Sequence, residues 1–189
     1  MSRLVWAGLL LLASFGSILT SCQQKGGKKV DLPEPRESIV GRVDSLERVL
    51  LNEDVALNDA AAAQVIKDYL GFQERWPDDP KCPDYLFKAA DVMRGMYRVA
   101  DACMALDLLV RRYPQSPQAP EALFFAGFML HNDISEHQKA HEYLQRVVDE
   151  YPLHPRAVEA RQMIQVMGMD EQDLLRYLEE NGSKDSIPS

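Results

Sequence analysis

The chain has 189 residues, 46% hydrophobic and 26% charged, which is the composition of one ordinary globular domain and excludes a disordered or collagen-like chain. With 21 Lys and Arg against 29 Asp and Glu its formal charge is -8, so it repels phosphate backbones and nucleic acid is not an expected partner. Its 3 cysteines are too few for a disulfide-stapled scaffold and fit no four-ligand zinc spacing.

Residues 1–21 carry one positive side chain, Arg3, then the apolar run from Leu4 to Ala13, then small residues. They are expected to form a cleavable signal peptide, being too short and too interrupted to span a bilayer. Leu19-Thr20-Ser21-Cys22 resembles the lipobox of bacterial lipoproteins. That resemblance implies diacylglyceryl transfer to the Cys22 thiol and cleavage just ahead of it. Acyl chains contribute about 0.8 kcal/mol per buried methylene, so an acylated Cys22 anchors the chain without any spanning helix. Gln23 follows, rather than Asp, which in that family implies sorting to the outer membrane. Residues 22–37 are polar, broken by Gly26-Gly27 and stiffened by Pro33 and Pro35, and read as a tether.

A helical domain is expected over residues 38–182, with a disordered tail at 183–189. Ser38 to Leu51 places Ile39, Val43, Leu46, Val49 and Leu50 on one stripe, and Asn58 can cap a helix that starts at Asp59 and runs through Ala60 to Ala63. A punctuation mark then occurs in three copies: Trp76-Pro77-Asp78-Asp79-Pro80, Tyr113-Pro114-Gln115-Ser116-Pro117 and Tyr151-Pro152-Leu153-His154-Pro155. The aromatic-Pro pairs lie 37 and 38 residues apart, a period that signals stacked repeats. Asp84, Glu121 and Glu159 follow the marks and suit the first turn of a helix.

The residues ahead of the marks repeat in register. Val65, Tyr69, Phe72 and Trp76 correspond to Ala102, Leu106, Leu109 and Tyr113, and again to Ala140, Leu144, Val147 and Tyr151. After the marks, Leu86, Ala89, Ala90 and Met93 correspond to Leu123, Ala126, Gly127 and Leu130. The one extra residue falls around Asn132-Asp133-Ile134, just before Ser135-Glu136-His137-Gln138, which reads as a capping box. Small residues at Ala90, Ala102, Gly127 and Ala140 let paired helices approach closely. Beyond the last mark, Ala160, Met163, Ile164 and Met167 form one apolar face. Asp170 caps a final helix with Leu174, Leu175 and Leu178, ended by Asn181-Gly182.

Small residues in both helices and a proline closing the second resemble the tetratricopeptide repeat (TPR), in a divergent form with Leu86 and Leu123 where an aromatic is usual. The Tyr-Pro-x-x-Pro-x-Ala form is similar to TPR proteins of the bacterial envelope that serve outer-membrane β-barrel assembly and cell constriction. The resemblance covers about residues 60–167. It implies an all-α, right-handed solenoid of antiparallel hairpins, about three repeats with helical caps, whose groove holds a protein or peptide. By that resemblance the first helix of each hairpin builds the concave face, with Lys88, Arg94 and Glu121 as exposed partner-binding candidates off the apolar stripes.

Little points to chemistry. His137 and His141 are spaced i, i+4, but H-E-x-x-H is absent and two histidines leave zinc short of ligands, so no metal and no cofactor are expected. Asp78-Asp79 and Asp149-Glu150 read as solvated surface. Cys82 and Cys103 fall at opposite ends of an antiparallel hairpin, on the order of 15 Å apart along the axis, and are expected to stay unpaired. Met163 and Met167 suit core filling more than a binding surface, with Met169 beside them. The chain is thus expected to be a non-enzymatic, lipid-anchored scaffold of the cell envelope, in outer-membrane protein assembly. The alternatives are an adaptor for division or peptidoglycan coordination, or, in another class, a metal-dependent accessory enzyme built on the histidines.

Overall fold

A computed structural model describes residues 34–50 and 59–182. The signal segment, Cys22, residues 23–33 of the tether, Leu51, the Asn58 cap, the Leu178 side chain and the tail after Gly182 lie outside the described residues. The described residues form eight helices and no strand: α1 (Arg36–Leu50), α2 (Asp59–Arg75), α3 (Cys82–Gly95), α4 (Val99–Arg112), α5 (Gln118–Asn132), α6 (His137–Glu150), α7 (Pro155–Met167) and α8 (Glu171–Gly182). None is long and apolar enough to cross a membrane.

The three marks are where even-numbered helices stop, and proline is the reason. The aromatic residue makes the last helical bond, Tyr113 N–H to Leu109 C=O at 2.8 Å and Tyr151 N–H to Val147 C=O at 3.1 Å, and the proline after it has no N–H to continue the ladder. The aromatic carbonyl then accepts from the residue three on, Asp79, Ser116 or His154, which closes a tight turn into the next helix. The rings also tie repeats together. Tyr113 Oη donates to Pro77 C=O at 2.7 Å, and Tyr151 Oη donates to Pro114 C=O at 3.0 Å.

Adjacent helices pack in chain order from α1 to α7, and one continuous core runs through the stack. The repeating stripes supply it: Val65, Tyr69, Phe72, Ala102, Leu106, Leu109, Ala140, Leu144 and Val147 are buried, as are Leu86, Ala89, Ala90, Met93, Leu123, Ala126, Gly127 and Leu130. The fold is an all-α, TPR-like solenoid of helix hairpins. Close approach depends on the small residues. A β-carbon built on Gly127 would sit 2.8 Å from Leu144 Cγ and 3.2 Å from the Ala140 carbonyl oxygen, so α5 and α6 meet at a spacing only glycine allows.

The extra residue of the third register does fall in a loop: Met96–Arg98 joins α3 to α4, and Asp133–Glu136 joins α5 to α6. Both loops turn through a left-handed residue, Tyr97 (φ 60°) and Ser135 (φ 57°). The capping box does not form. Ser135 is spent on that left-handed turn, which brings Glu136 N–H to Leu130 C=O at 2.7 Å, and α6 begins after Glu136 with no side-chain cap. At the last helix, Asp170 Oδ1 does accept from Asp173 N–H at 2.8 Å, as a cap should. Glu159 lies beyond the first turn of α7, because that helix already starts at Pro155.

Helix α1 is set by charge as much as by its apolar stripe. Ile39 and Val43 are buried and Leu46 and Leu50 half-buried, but Val49 is 45% exposed, since at 3.6 residues per turn it falls off the edge of the stripe. The helix starts at Arg36, inside the expected tether, because Arg36 Nε donates to Asp79 Oδ2 at 2.6 Å and Glu34 pairs with Arg42. Asp79 is therefore no solvated turn acid: its side chain is only 10% exposed, and the Arg36 hydrogen bond holds its carboxyl below the ordinary range. Arg42 reaches across to the buried Asp68 with two bonds of 2.7 Å. Tyr69 Oη donates to Glu47 at 2.6 Å; burial first, and that carboxylate second, push the phenol far above its usual pKa and keep the proton on.

Candidate docking face

Odd-numbered helices touch one another directly, α3 with α5 and α5 with α7, whereas successive even-numbered helices have no comparable backbone approach. Closer spacing on one layer means that the stack bends toward it, so the odd-numbered helices form the inner wall.

The three sequence-derived candidates lie in this wall, but they are half-buried and already engaged. Lys88 Nζ of α3 is 3.1 Å from Glu47 of α1 and 3.0 Å from Asp84. Arg94 Nε of α3 donates to Asp133, just past α5, at 2.6 Å. Glu121 of α5 accepts from Arg156 Nε of α7 at 2.7 Å, and Arg156 also pairs with Glu159. Each candidate is thus a strut between successive odd-numbered helices rather than a free side chain. Partly exposed pairs of this kind contribute about 0–1 kcal/mol each.

Aromatic side chains fill the seams between these struts. Phe87 of α3 and Phe125 of α5 stack with centroids 5.6 Å apart and planes at 23°. The Arg94 guanidinium lies 5.6 Å from the Phe125 ring and 5.7 Å from the Phe128 ring, and Arg156 lies 4.8 Å from Phe124. All four phenylalanines are half-buried, and Asp91 of α3 is exposed beside Val92. This gives the inner wall an apolar floor with fixed charges around it, the arrangement that protein-binding surfaces use. A sequence signal for it exists. Helix α5 carries Phe124, Phe125 and Phe128 in addition to its core stripe of Leu123, Ala126, Gly127 and Leu130, more apolar surface than one buried face consumes.

The other candidates fall elsewhere. His137 pairs with His131, their Nδ1 atoms 2.9 Å apart, and not with His141, which is exposed on α6. Among the described residues no group of three or more His, Cys, Asp or Glu side chains could hold a metal ion. Cys82 and Cys103 are free and buried; burial raises both thiols, Cys103 to about 11, and Cys82 Sγ donates to Trp76 C=O at 3.0 Å. Asp149 and Glu150 are exposed and bonded within α6 to Gln145 and Arg146. Met163 and Met167 pack half-buried against the core.

No curated protein matches the chain. Residues 84–116 match the family profile described as a tetratricopeptide repeat, a span that contains nearly all of the α3–α4 hairpin and its closing Tyr113-Pro114 mark. Because the same hairpin, with the same stripes and the same tyrosine-to-proline bond, continues into α5 and α6, the chain is a TPR-like helical repeat protein.

Proposed function

We propose that this protein is a non-catalytic scaffold that holds a protein or peptide partner against its inner wall. We further propose that an acylated Cys22 tethers it to a membrane of the bacterial envelope, on the periplasmic side of the outer membrane, where it serves outer-membrane protein assembly. The observation that supports docking is the row of half-exposed phenylalanines: Phe124, Phe125 and Phe128 lie against arginines that are themselves fixed by carboxylates, and Phe87 stacks on Phe125. Such a surface needs little reordering to bind, which lowers the cost of association. The membrane reading rests on Leu19-Thr20-Ser21-Cys22 and the apolar leader before it.

Two experiments test the two halves. Replacing Cys22 by Ser should release the protein into the soluble fraction, since a polar tether alone has no membrane affinity; retention of the variant on membranes would overturn the anchor. For docking, crosslinked partners captured from detergent-solubilised envelope should be lost with Phe128→Asp, which alters the wall. They should persist with Arg111→Glu, which alters the exposed end of α4. Capture that is indifferent to Phe128→Asp would refute the inner wall as the docking face.

A further inference from the structure

We propose that His131 and His137 form a two-imidazole binding site for a divalent transition-metal ion of the nickel or copper type. The two residues come from different helices, the last turn of α5 and the first residue of α6, and the loop between them forces their rings together: centroids 4.8 Å apart, Nδ1 atoms 2.9 Å apart. That loop is fixed by the left-handed turn at Ser135 and by the Glu136 N–H to Leu130 C=O bond, so the rings are presented by backbone geometry.

The separation is a hydrogen-bond distance and is also one that a shared metal ion can span. With metal–imidazole bonds of about 2.0–2.1 Å, nitrogens 2.9 Å apart subtend an angle of about 90° at a shared ion. Two cis positions of a square-planar or octahedral ion have that angle, and tetragonal nitrogen and oxygen coordination suits Cu²⁺ and Ni²⁺. Water would complete the remaining positions, the site being open to solvent. Both rings must offer Nδ1 as an acceptor, so the one that now donates its Nδ1 proton carries that proton on Nε2 in the bound form.

The surrounding charge admits a cation. Asp133 and Glu136 are acids of the connecting loop, partly offset by Arg94 and Lys139, which they pair with at 2.6 and 3.4 Å. The carbonyl end of α5 favours a cation, while the amide end of α6 opposes it. In the preceding repeat the same two positions are Arg94 and Val99, which cannot bind a metal, so the pair is a feature of one hairpin and not of the repeat itself. The spacing that the sequence suggested, His137 with His141, is not the pair that the fold assembles.

Calorimetric titration of the full chain with Ni²⁺ at pH 7.5 tests this. The expected result is one site of micromolar affinity that weakens at least tenfold in His131→Asn and, separately, in His137→Ala, each checked for unchanged helical circular dichroism. His141→Ala should leave the affinity within twofold. Subtracting the His131→Asn, His137→Ala double variant removes binding to any other donors in the chain. Saturating Ni²⁺ should also raise the wild-type melting temperature and leave that of the double variant unchanged. No wild-type binding up to millimolar Ni²⁺, equal binding by wild type and double variant, or loss of the site in His141→Ala would each overturn the assignment.

Discussion

Gly127→Ala tests whether the α5–α6 contact controls the stability of the stack. The added methyl would sit 2.8 Å from Leu144 Cγ, 3.0 Å from Leu144 Cδ2 and 3.2 Å from the Ala140 carbonyl oxygen. Real carbon contacts do not reach 2.8 Å, and neither the branch point of a fully buried leucine nor a helix backbone can swing away. Overpacking of this kind costs about 1–3 kcal/mol, from which about 0.5–1 kcal/mol is recovered because alanine is the better helix former. The expected net loss is about 0–2.5 kcal/mol, a fall in melting temperature of up to roughly 10 °C for a chain of this length. Gly71, in the middle of α2, has nothing within 4 Å of the same built atom, so Gly71→Ala should stabilise by about 0.5–1 kcal/mol. Urea denaturation followed by circular dichroism reads both. A double-mutant cycle adds a second check: with Leu144→Ala in place the methyl has room, and Gly127→Ala should become neutral or favourable. If Gly127→Ala stabilises the protein as Gly71→Ala does, the two helices are not in contact at this point and the packing described is wrong.

Leu144 is fully buried between α5 and α6, so Leu144→Ala should cost about 2–5 kcal/mol by chemical denaturation, and a loss well under 1 kcal/mol would contradict its placement. Acid should weaken the docking of α1. The carboxyl of Glu34 is lowered to about 2, first by its bond to Arg42, and that of Asp79 is lowered by Arg36. Groups lowered by folding stabilise above their unfolded values, so this contribution is complete above about pH 5 and is lost as pH falls toward 2. Urea midpoints measured from pH 6 to pH 2 should fall steeply for the wild type and less so for Arg42→Ala. Parallel curves would refute the ion-pair account of α1.

The repeat itself was legible in the sequence because it is written in local chemistry. Proline has no N–H with which to continue a helix that precedes it, so three aromatic-Pro marks locate three helix ends, and the stripes at 3.6-residue spacing name the core residues from Val65 to Val147. Side chains on those stripes have one option, burial, and the options of Gly127 and Ala140 narrow for the same reason.

Charged and polar residues have several options, and there only the tertiary structure decided. Lys88, Arg94 and Glu121 stand off the apolar stripes, but whether they meet solvent or a carboxylate depends on how far one hairpin rotates against the next; the stack brings each to a partner on a neighbouring repeat. The turn around Asp79 suggests a solvated side chain, whereas the fold holds it with an arginine 43 residues earlier. Spacing pairs His137 with His141 because one helix joins them, yet a left-handed turn at Ser135 delivers it to His131. Periodicity reports what a residue must avoid, and water-avoiding groups are therefore readable one at a time. The partner of a polar group is a relation between two distant segments, and it exists only once the chain has brought them within about 3 Å.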